Sequence, residues 1–160
     1  MESFGGAGQE PTTIRTAMSD AQIRQTAAAA MDAVPYIIGF NNHQGSKATS
    51  DARVMRAVLV EAQARHLFYV DSRTAASSVG MATAREMGVA TNANALFLDN
   101  SADEAAICGQ IREAVRIAQR DGTAVVIGHA RPTTAAALRT MIDEIEAEGV
   151  ELVFVSELVG

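Results

Sequence analysis

The chain alternates short, continuously apolar runs with longer stretches in which apolar residues recur every three or four positions. Runs of the first kind predict strands buried on both faces, and stretches of the second kind predict amphipathic helices. The predicted strands are YIIGF at 36–40, LFYV at 67–70, LFL at 96–98, AVVIG at 124–128 and ELVFVS at 151–156. The predicted helices cover about 20–33, a stretch from about 51, about 76–87, a stretch capped by Ser101 and Glu104, and a stretch after Pro132. This alternation predicts an α/β fold built on a parallel sheet of βα repeats, with helices covering the sheet.

The first predicted helix has clear end signals. Ser19 and Gln22 form an S-x-x-Q capping box at its start, and Pro35 follows its end. Residues 1–18 are glycine-rich at 5–8 and have no apolar periodicity, so we expect an irregular entry segment. The chain contains no linker or low-complexity tract, and its 160 residues predict a single domain over 1–160.

Composition narrows the class of protein. Hydrophobic residues make up 48% and charged residues 20%, which is typical of a globular domain and not of a disordered one. The net charge of −6 argues against a nucleic-acid partner, which would need a basic face. The single cysteine, Cys108, excludes an intramolecular disulfide, and its mid-helix position favours a buried thiol over a nucleophile. No apolar run is long enough to predict a transmembrane helix.

Polar residues of catalytic type follow four successive strands. They are Asn42-His43, Asp71-Arg73, Asp99-Asn100 and His129-Arg131. Because the carboxyl ends of parallel strands share one edge, and ligands bind there, these residues are candidates for one functional site. The alternative is that Asn, Asp and Ser cap the helices that follow. Capping explains the two aspartates but not the two histidines, which are poor caps.

Residue types alone leave several roles open. His43 could be a metal ligand, a general acid or base, or a hydrogen-bonded loop residue. His129 could be a ligand or an acid. Asp71 could be a base, a ligand or the carboxylate that orients a histidine, and a structural pair with Arg73 explains both residues equally well. His66 lies at a predicted helix end, where an interaction with the helix dipole is the simpler explanation.

Four ordered blocks of sequence resemble the divergent polysaccharide deacetylase family, the YibQ-like proteins. The blocks are PYIIGFNNHQGSKATSD at 35–51, LFYVDSRT at 67–74, LFLDN at 96–100 and VIGHARPTT at 126–134. Gln44 stands where the family usually has Met, and Ala130 and Arg131 replace Pro and His. The order and spacing agree from about residue 11 to the end.

The resemblance implies a distorted (β/α) barrel of the NodB type and a divalent metal, zinc first among the candidates. It implies a metal-dependent hydrolase that removes N-acetyl groups from amino sugars of a polysaccharide. Carried over by position, His43 is expected to be a metal ligand, and Asp71 and His129 are expected to be catalytic. The residues expected to bind the substrate are Asn42, Ser46, Arg73 and Asp99.

The chain also departs from the family pattern. Members begin with a strand that ends in an Asp-Asp pair, and the present sequence lacks it, which suggests the C-terminal part of a larger barrel. Open sheet edges would then favour a homodimer that covers them. An alternative function is a non-catalytic carbohydrate-binding or cell-envelope module that keeps the fold. The family implies a periplasmic or extracytoplasmic location, although the start MESFGGAGQE lacks the regions of a signal peptide.

Overall fold

The computed structural model describes residues 1–6 and 10–160, so part of the entry segment, residues 7–9, lies outside the described residues. The chain forms two compact units. The first unit comprises Met1–Ala93 and Val159–Gly160, and the second unit comprises Asn94–Leu158. All pairs of neighbouring strands in both units are parallel, which confirms the predicted α/β class with parallel sheets.

In its described residues, the first unit has three α-helices and a three-stranded sheet. Its elements are α1 Asp20–Asp32, β1 Gly39–Asn41, α2 Ala52–Ala64, β2 Phe68–Asp71, α3 Gly80–Glu86 and β3 Thr91–Ala93, with short 3₁₀ helices at Phe4–Gly6 and Ala48–Ser50. The strand order is β1-β2-β3, with Phe40 paired to Tyr69 and Tyr69 paired to Thr91.

The helices of the first unit follow from local sequence signals. The capping box at Ser19 and Gln22 is present and starts α1 where the sequence predicts it. Asp51 caps α2, because its side chain accepts the backbone N–H groups of Arg53 and Val54. The apolar faces of α1 and α2 then pack together in one core. Its central residues include Ile23, Ala27, Met31, Val54, Met55, Leu59 and Tyr69.

The second unit contains two helices and a two-stranded sheet. Its elements are β4 Leu96–Phe97, α4 Glu104–Asp121, β5 Val126–Ile127 and α5 Pro132–Ala147, followed by a 3₁₀ helix at Val155–Glu157. Pro132 occupies the first turn of α5, where its missing N–H removes no hydrogen bond. The core consists of Leu98, Ile107, Ile111, Val115, Ala137, Met141 and Ile145.

Three details differ from the sequence expectations. The cap of α4 is Asp103, whose side chain accepts the N–H of Ala106, and not Ser101. The third helix begins at Gly80 rather than near 76. The sequence also gave no sign of β3, because its residues Thr91–Ala93 are mostly polar and become a strand only by pairing with β2.

The strand predicted at 151–156 is wrong. Residues 151–154 belong to no described ladder, and Val155–Glu157 form a 3₁₀ helix. Leu152 and Phe154 are exposed, at 61% and 81%. An apolar run becomes a strand only where a neighbour accepts its backbone groups, and this run has no such neighbour among the described strands. None of the helices in the described ranges is both long and apolar enough to span a membrane.

Candidate functional site

The second unit brings Asp99 and His129 together at the ends of β4 and β5. Because these strands are parallel neighbours, the residues that follow them lie side by side. Asp99 Oδ1 lies 2.9 Å from His129 Nδ1. Asp99 Oδ2 accepts the backbone N–H of His129 at 2.7 Å and the hydroxyl of Thr134 at 2.8 Å. Asp99 is therefore the buried anchor of a polar cluster that we call the Asp99–His129 pair.

The imidazole of the pair reaches the surface. The side chain of His129 is 48% exposed, whereas that of Asp99 is fully buried. Within residues 1–6 and 10–160, the other ring nitrogen, Nε2, has no hydrogen-bond partner. Arg131 donates from Nη1 to the backbone oxygen of Asp99 at 2.9 Å. His129, Arg131 and Thr134 line a cavity of about 670 Å³.

The hydrogen bonds keep Asp99 ionised despite its burial. Burial by itself raises the pKa of a carboxyl group, but donors from His129 and Thr134 outweigh this effect and lower the pKa of Asp99 to about 2. An ionised Asp99 accepts a hydrogen bond from Nδ1–H, which selects that tautomer of His129. The Nε2 atom is then the one that can accept or donate a proton at the surface.

In the first unit, Asn42 ties the ends of β1 and β2 together. Its Oδ1 accepts the Tyr69 hydroxyl at 2.8 Å and the Ser72 backbone N–H at 3.0 Å. Its Nδ2 donates to the backbone oxygen of Gln44 at 2.8 Å. The residue is 3% exposed, so its amide serves the scaffold of this sheet edge.

Asp71 is buried at the end of β2, with both oxygens hydrogen-bonded. Oδ1 accepts the backbone N–H of Arg73 at 2.9 Å, and Oδ2 accepts the Ser78 hydroxyl at 2.7 Å and the Met81 N–H at 3.1 Å. Arg73 thus contacts Asp71 through its backbone, while its side chain is exposed. Burial, and secondarily the charge of Asp71, raise the pKa of Tyr69 above its ordinary range.

His43 lies in the loop after β1 and lines a separate cavity of about 540 Å³. Its side chain is exposed, and its carbonyl oxygen accepts the Met1 ammonium group at 3.1 Å. Ser46, in the same loop, accepts the backbone N–H of Phe4 through its hydroxyl at 3.0 Å.

The contacts of the first four residues with this loop were not predicted from the sequence. Glu2 bonds to Lys47 Nζ at 2.8 Å and accepts the N–H and hydroxyl of Thr16 at 2.7 and 2.9 Å. The bond to Lys47, followed by those to Thr16, lowers the pKa of Glu2 to about 2.

The role of Thr134 was also not predicted from the sequence, because a threonine in the first turn of a helix is common and indicates only a helix start. Only the folded chain shows that its hydroxyl reaches Asp99.

The residues that the structure describes do not by themselves supply the three ligands that a catalytic zinc site usually has. In the part of the chain that the structure describes, no three His, Cys, Asp or Glu side chains are grouped so that they could hold an ion. Both oxygens of Asp71 and of Asp99 already accept hydrogen bonds. The metal-ligand role of His43 therefore stays a prediction.

Comparisons with known proteins place the chain in a family. The sequence model of the divergent polysaccharide deacetylase family matches residues 1–159. An uncharacterized protein of Haemophilus influenzae is 37% identical over 158 residues, which are 99% of this chain and 56% of that protein. The uncharacterized protein YibQ of Escherichia coli K12 is 35% identical over 151 residues, which are 94% of this chain and 47% of that protein.

The fold has a close counterpart among solved structures. The crystal structure of an uncharacterized protein from Agrobacterium tumefaciens C58 matches with a TM-score of 0.94 and 24% identity, over 99% of this chain and 65% of that one. The chain spans about half the length of the curated relatives it matches. On the match to the family model and the identity with these relatives, the chain belongs to the divergent polysaccharide deacetylase family.

Proposed function

We propose that the chain is a hydrolase-like domain that removes acetyl groups from the nitrogen atoms of amino sugars in a polysaccharide. Family membership supports the substrate class. The observation that carries the proposal is the Asp99–His129 pair, in which a buried, ionised carboxylate orients a histidine whose other ring nitrogen is at the surface.

Hydrolysis of an N-acetyl group requires a side chain that donates a proton to the leaving nitrogen. When water adds to the carbonyl carbon of an N-acetyl group, the C–N bond breaks, and the amine must take up a proton to leave. His129 can take onto Nε2 the proton that the attacking water loses, and can then donate it to the leaving nitrogen, so that the imidazole is neutral again when acetate and the amine have formed. Asp99 stabilises the resulting imidazolium across the 2.9 Å contact with Nδ1.

The expected site residues of the first unit are of two kinds, exposed or loop residues and buried ones. Arg73 and Ser46 lie in loops at the strand ends of the first unit, and the family pattern supports substrate contacts there. The catalytic role of Asp71 and the substrate-binding role of Asn42 stay predictions, since both side chains are buried and hydrogen-bonded inside the unit. The parallel βα repeats are compatible with a distorted barrel of the NodB type, and we place the protein outside the cytoplasm by family resemblance.

The direct test is release of acetate from chito-oligosaccharides. We expect His129→Asn to lower kcat by about 10²- to 10⁴-fold, because a positioned general acid contributes that much. His66→Asn is the matched control, since His66 is also exposed, and its left-handed backbone conformation (φ 55°) is one that asparagine tolerates. Equal activity of the two variants would contradict the role of His129, and absence of acetate release by the unmodified chain would contradict the proposed reaction.

The expected zinc requires its own measurement. The assignment of His43 predicts that elemental analysis of the purified chain detects a stoichiometric divalent metal, although the described residues offer no group of three ligands for it. It also predicts that His43→Ala removes this metal while the far-ultraviolet circular dichroism stays unchanged. A chain free of metal after purification in zinc-containing buffer, or one that keeps its metal in His43→Ala, would overturn the assignment of His43.

A non-catalytic carbohydrate-binding or cell-envelope module is the second candidate. It is favoured by the lack, among the described residues, of three side chains grouped for a metal. Isothermal titration with the same chito-oligosaccharides separates the two candidates. Binding without any acetate release would favour the second one.

A further inference from the structure

Asp99 holds the side chain of Arg131 as well as that of His129. The guanidinium of Arg131 donates from Nη1 to the backbone oxygen of Asp99 at 2.9 Å, while His129 Nδ1 lies 2.9 Å from Asp99 Oδ1. The backbone N–H of Arg131 also donates to the carbonyl oxygen of His129 at 2.7 Å, which closes a tight three-residue turn. The cation and the imidazole are thus held close together by one buried residue and by one turn.

The carboxylate of Asp99 is satisfied without this arginine. His129 and Thr134 donate to its two oxygens at 2.7 to 2.9 Å. The nearest guanidinium nitrogen of Arg131 is 3.9 Å from Asp99 Oδ2, which is beyond hydrogen-bonding distance. The N–H donors of Arg131 are therefore not consumed by the carboxylate.

Most of the guanidinium is available to a ligand. An arginine side chain has five N–H donors, and the backbone oxygen of Asp99 accepts one of them. Within the described ranges 1–6 and 10–160, neither Nε nor Nη2 of Arg131 has an acceptor. The side chain is 43% exposed and lines the cavity of about 670 Å³ together with His129. This cavity therefore offers a positive charge with free donors beside the imidazole.

Hydrolysis of an N-acetyl group develops negative charge on one atom. When the oxygen of water bonds to the carbonyl carbon, an electron pair of the C=O bond moves onto the carbonyl oxygen. The pair returns as the C–N bond breaks, and the products are the amine and acetic acid, which ionises to acetate. A positive group placed at the carbonyl oxygen stabilises this charged intermediate more than the neutral substrate, and so it lowers the barrier.

We propose that Arg131 binds the carbonyl oxygen of the acetyl group and stabilises the negative charge that forms there. This inference rests on the proposed hydrolysis. The carbonyl oxygen and the leaving nitrogen are bonded to the same carbon, so the side chains that serve them must be neighbours. The common attachment of Arg131 and His129 to Asp99 meets this requirement. A guanidinium suits the oxygen because it stays charged and donates from several N–H groups.

The kinetics of acetate release from chito-oligosaccharides test the proposal. Arg131→Met should lower kcat by about 10²- to 10³-fold with little change in KM, because the lost contact strengthens only as charge develops. Arg131→Lys keeps a positive charge and should lose less. Arg139→Met is the matched control and should keep the unmodified kcat, since Arg139 is exposed on the same helix, α5, and does not line the cavity.

Binding of a stable analogue separates this role from a structural one. The analogue is a chito-oligosaccharide in which a methylphosphonamidate replaces one N-acetyl group, so that an anionic oxygen stands in for the charged carbonyl oxygen. In titration calorimetry, Arg131→Met should weaken the analogue by about the factor lost from kcat, with the affinity for the unmodified oligosaccharide nearly unchanged. Arg131→Gln, which keeps N–H donors without the charge, provides a second neutral variant if the methionine variant does not fold.

The outcomes distinguish this inference from the reaction on which it rests. An unchanged kcat in Arg131→Met, together with a large loss in His129→Asn, would overturn the role of Arg131 and leave the hydrolysis standing. A raised KM at unchanged kcat would overturn it too, because the contact would then be equally strong in the substrate complex. The same holds for equal losses of affinity for the analogue and for the oligosaccharide. An unmodified chain that releases no acetate would overturn both the hydrolysis and the role of Arg131.

Discussion

A buried carboxylate such as Asp99 is compatible with the fold only if donors surround it. The ring and backbone of His129 and the hydroxyl of Thr134 supply those donors within 2.9 Å. The cost of burying the charge is thereby offset, and the same contacts fix the orientation of the imidazole. One set of hydrogen bonds therefore serves both the stability of the second unit and the chemistry proposed for it.

These contacts predict an acid-dependent loss of stability. The folded pKa of Asp99 is about 2, below its ordinary value of 3.8. A lowered pKa means that the stabilisation is fully present above about pH 4 and is lost as the pH falls towards 2, by about 2 kcal/mol in the free energy of unfolding. Urea unfolding at pH 7, 4 and 2.5 measures the loss, and Asp99→Asn should flatten this part of the pH profile. An equally steep profile in the variant would show that other groups cause the loss.

At the scale of single residues, the sequence predicted that Asp99 and His129 lie at the same edge of a sheet. It did not predict the hydrogen bond between their side chains. The family resemblance gave Asp99 a substrate-binding role, and its position after a strand left open, as for Asp71, whether it is a base, a ligand or the carboxylate that orients a histidine. That it accepts three hydrogen bonds from His129 and Thr134 depends on α5 turning its first residues towards β4, and no local pattern encodes this placement.

At the scale of elements, helices were the more predictable part. Each helix carries its own hydrogen bonds, so caps and apolar spacing in the local sequence are enough to indicate it. The start of α1 at Ser19 and the proline in the first turn of α5 follow the expected signals. Strands depend on a neighbour, and for that reason β3 was missed and the segment at 151–156 was wrongly predicted.

The cap of α4 gives a prediction at this scale. Asp103→Ala should lower the free energy of unfolding by about 1 kcal/mol, because the N–H of Ala106 loses its acceptor. Ser101→Ala should cost much less, since the Ser101 hydroxyl accepts only the N–H of Asp103, ahead of the helix. Urea titrations followed by circular dichroism at 222 nm compare the two variants. A larger effect at Ser101 would contradict the assignment of the cap to Asp103.

At the scale of the whole molecule, the net charge of the chain disfavours negatively charged partners. The net charge of −6 opposes association with a polyanion, whereas a neutral sugar chain meets no such barrier. We therefore expect no mobility shift of a duplex DNA at micromolar protein and physiological salt. The chito-oligosaccharide binding measured by titration serves as the positive control for the same preparation. A DNA complex that weakens as salt is raised would show that a local basic surface outweighs the net charge.

The sequence by itself determined the α/β class, the parallel pairing, most helix positions and the family, because periodicity, caps and ordered motifs are local properties of the chain. Only the tertiary structure decided which donors surround Asp99, how Asn42 joins two strand ends, and that Met1–Phe4 hold the loop of His43. These features join residues about 30 or more positions apart, and only packing brings such residues into hydrogen-bonding distance.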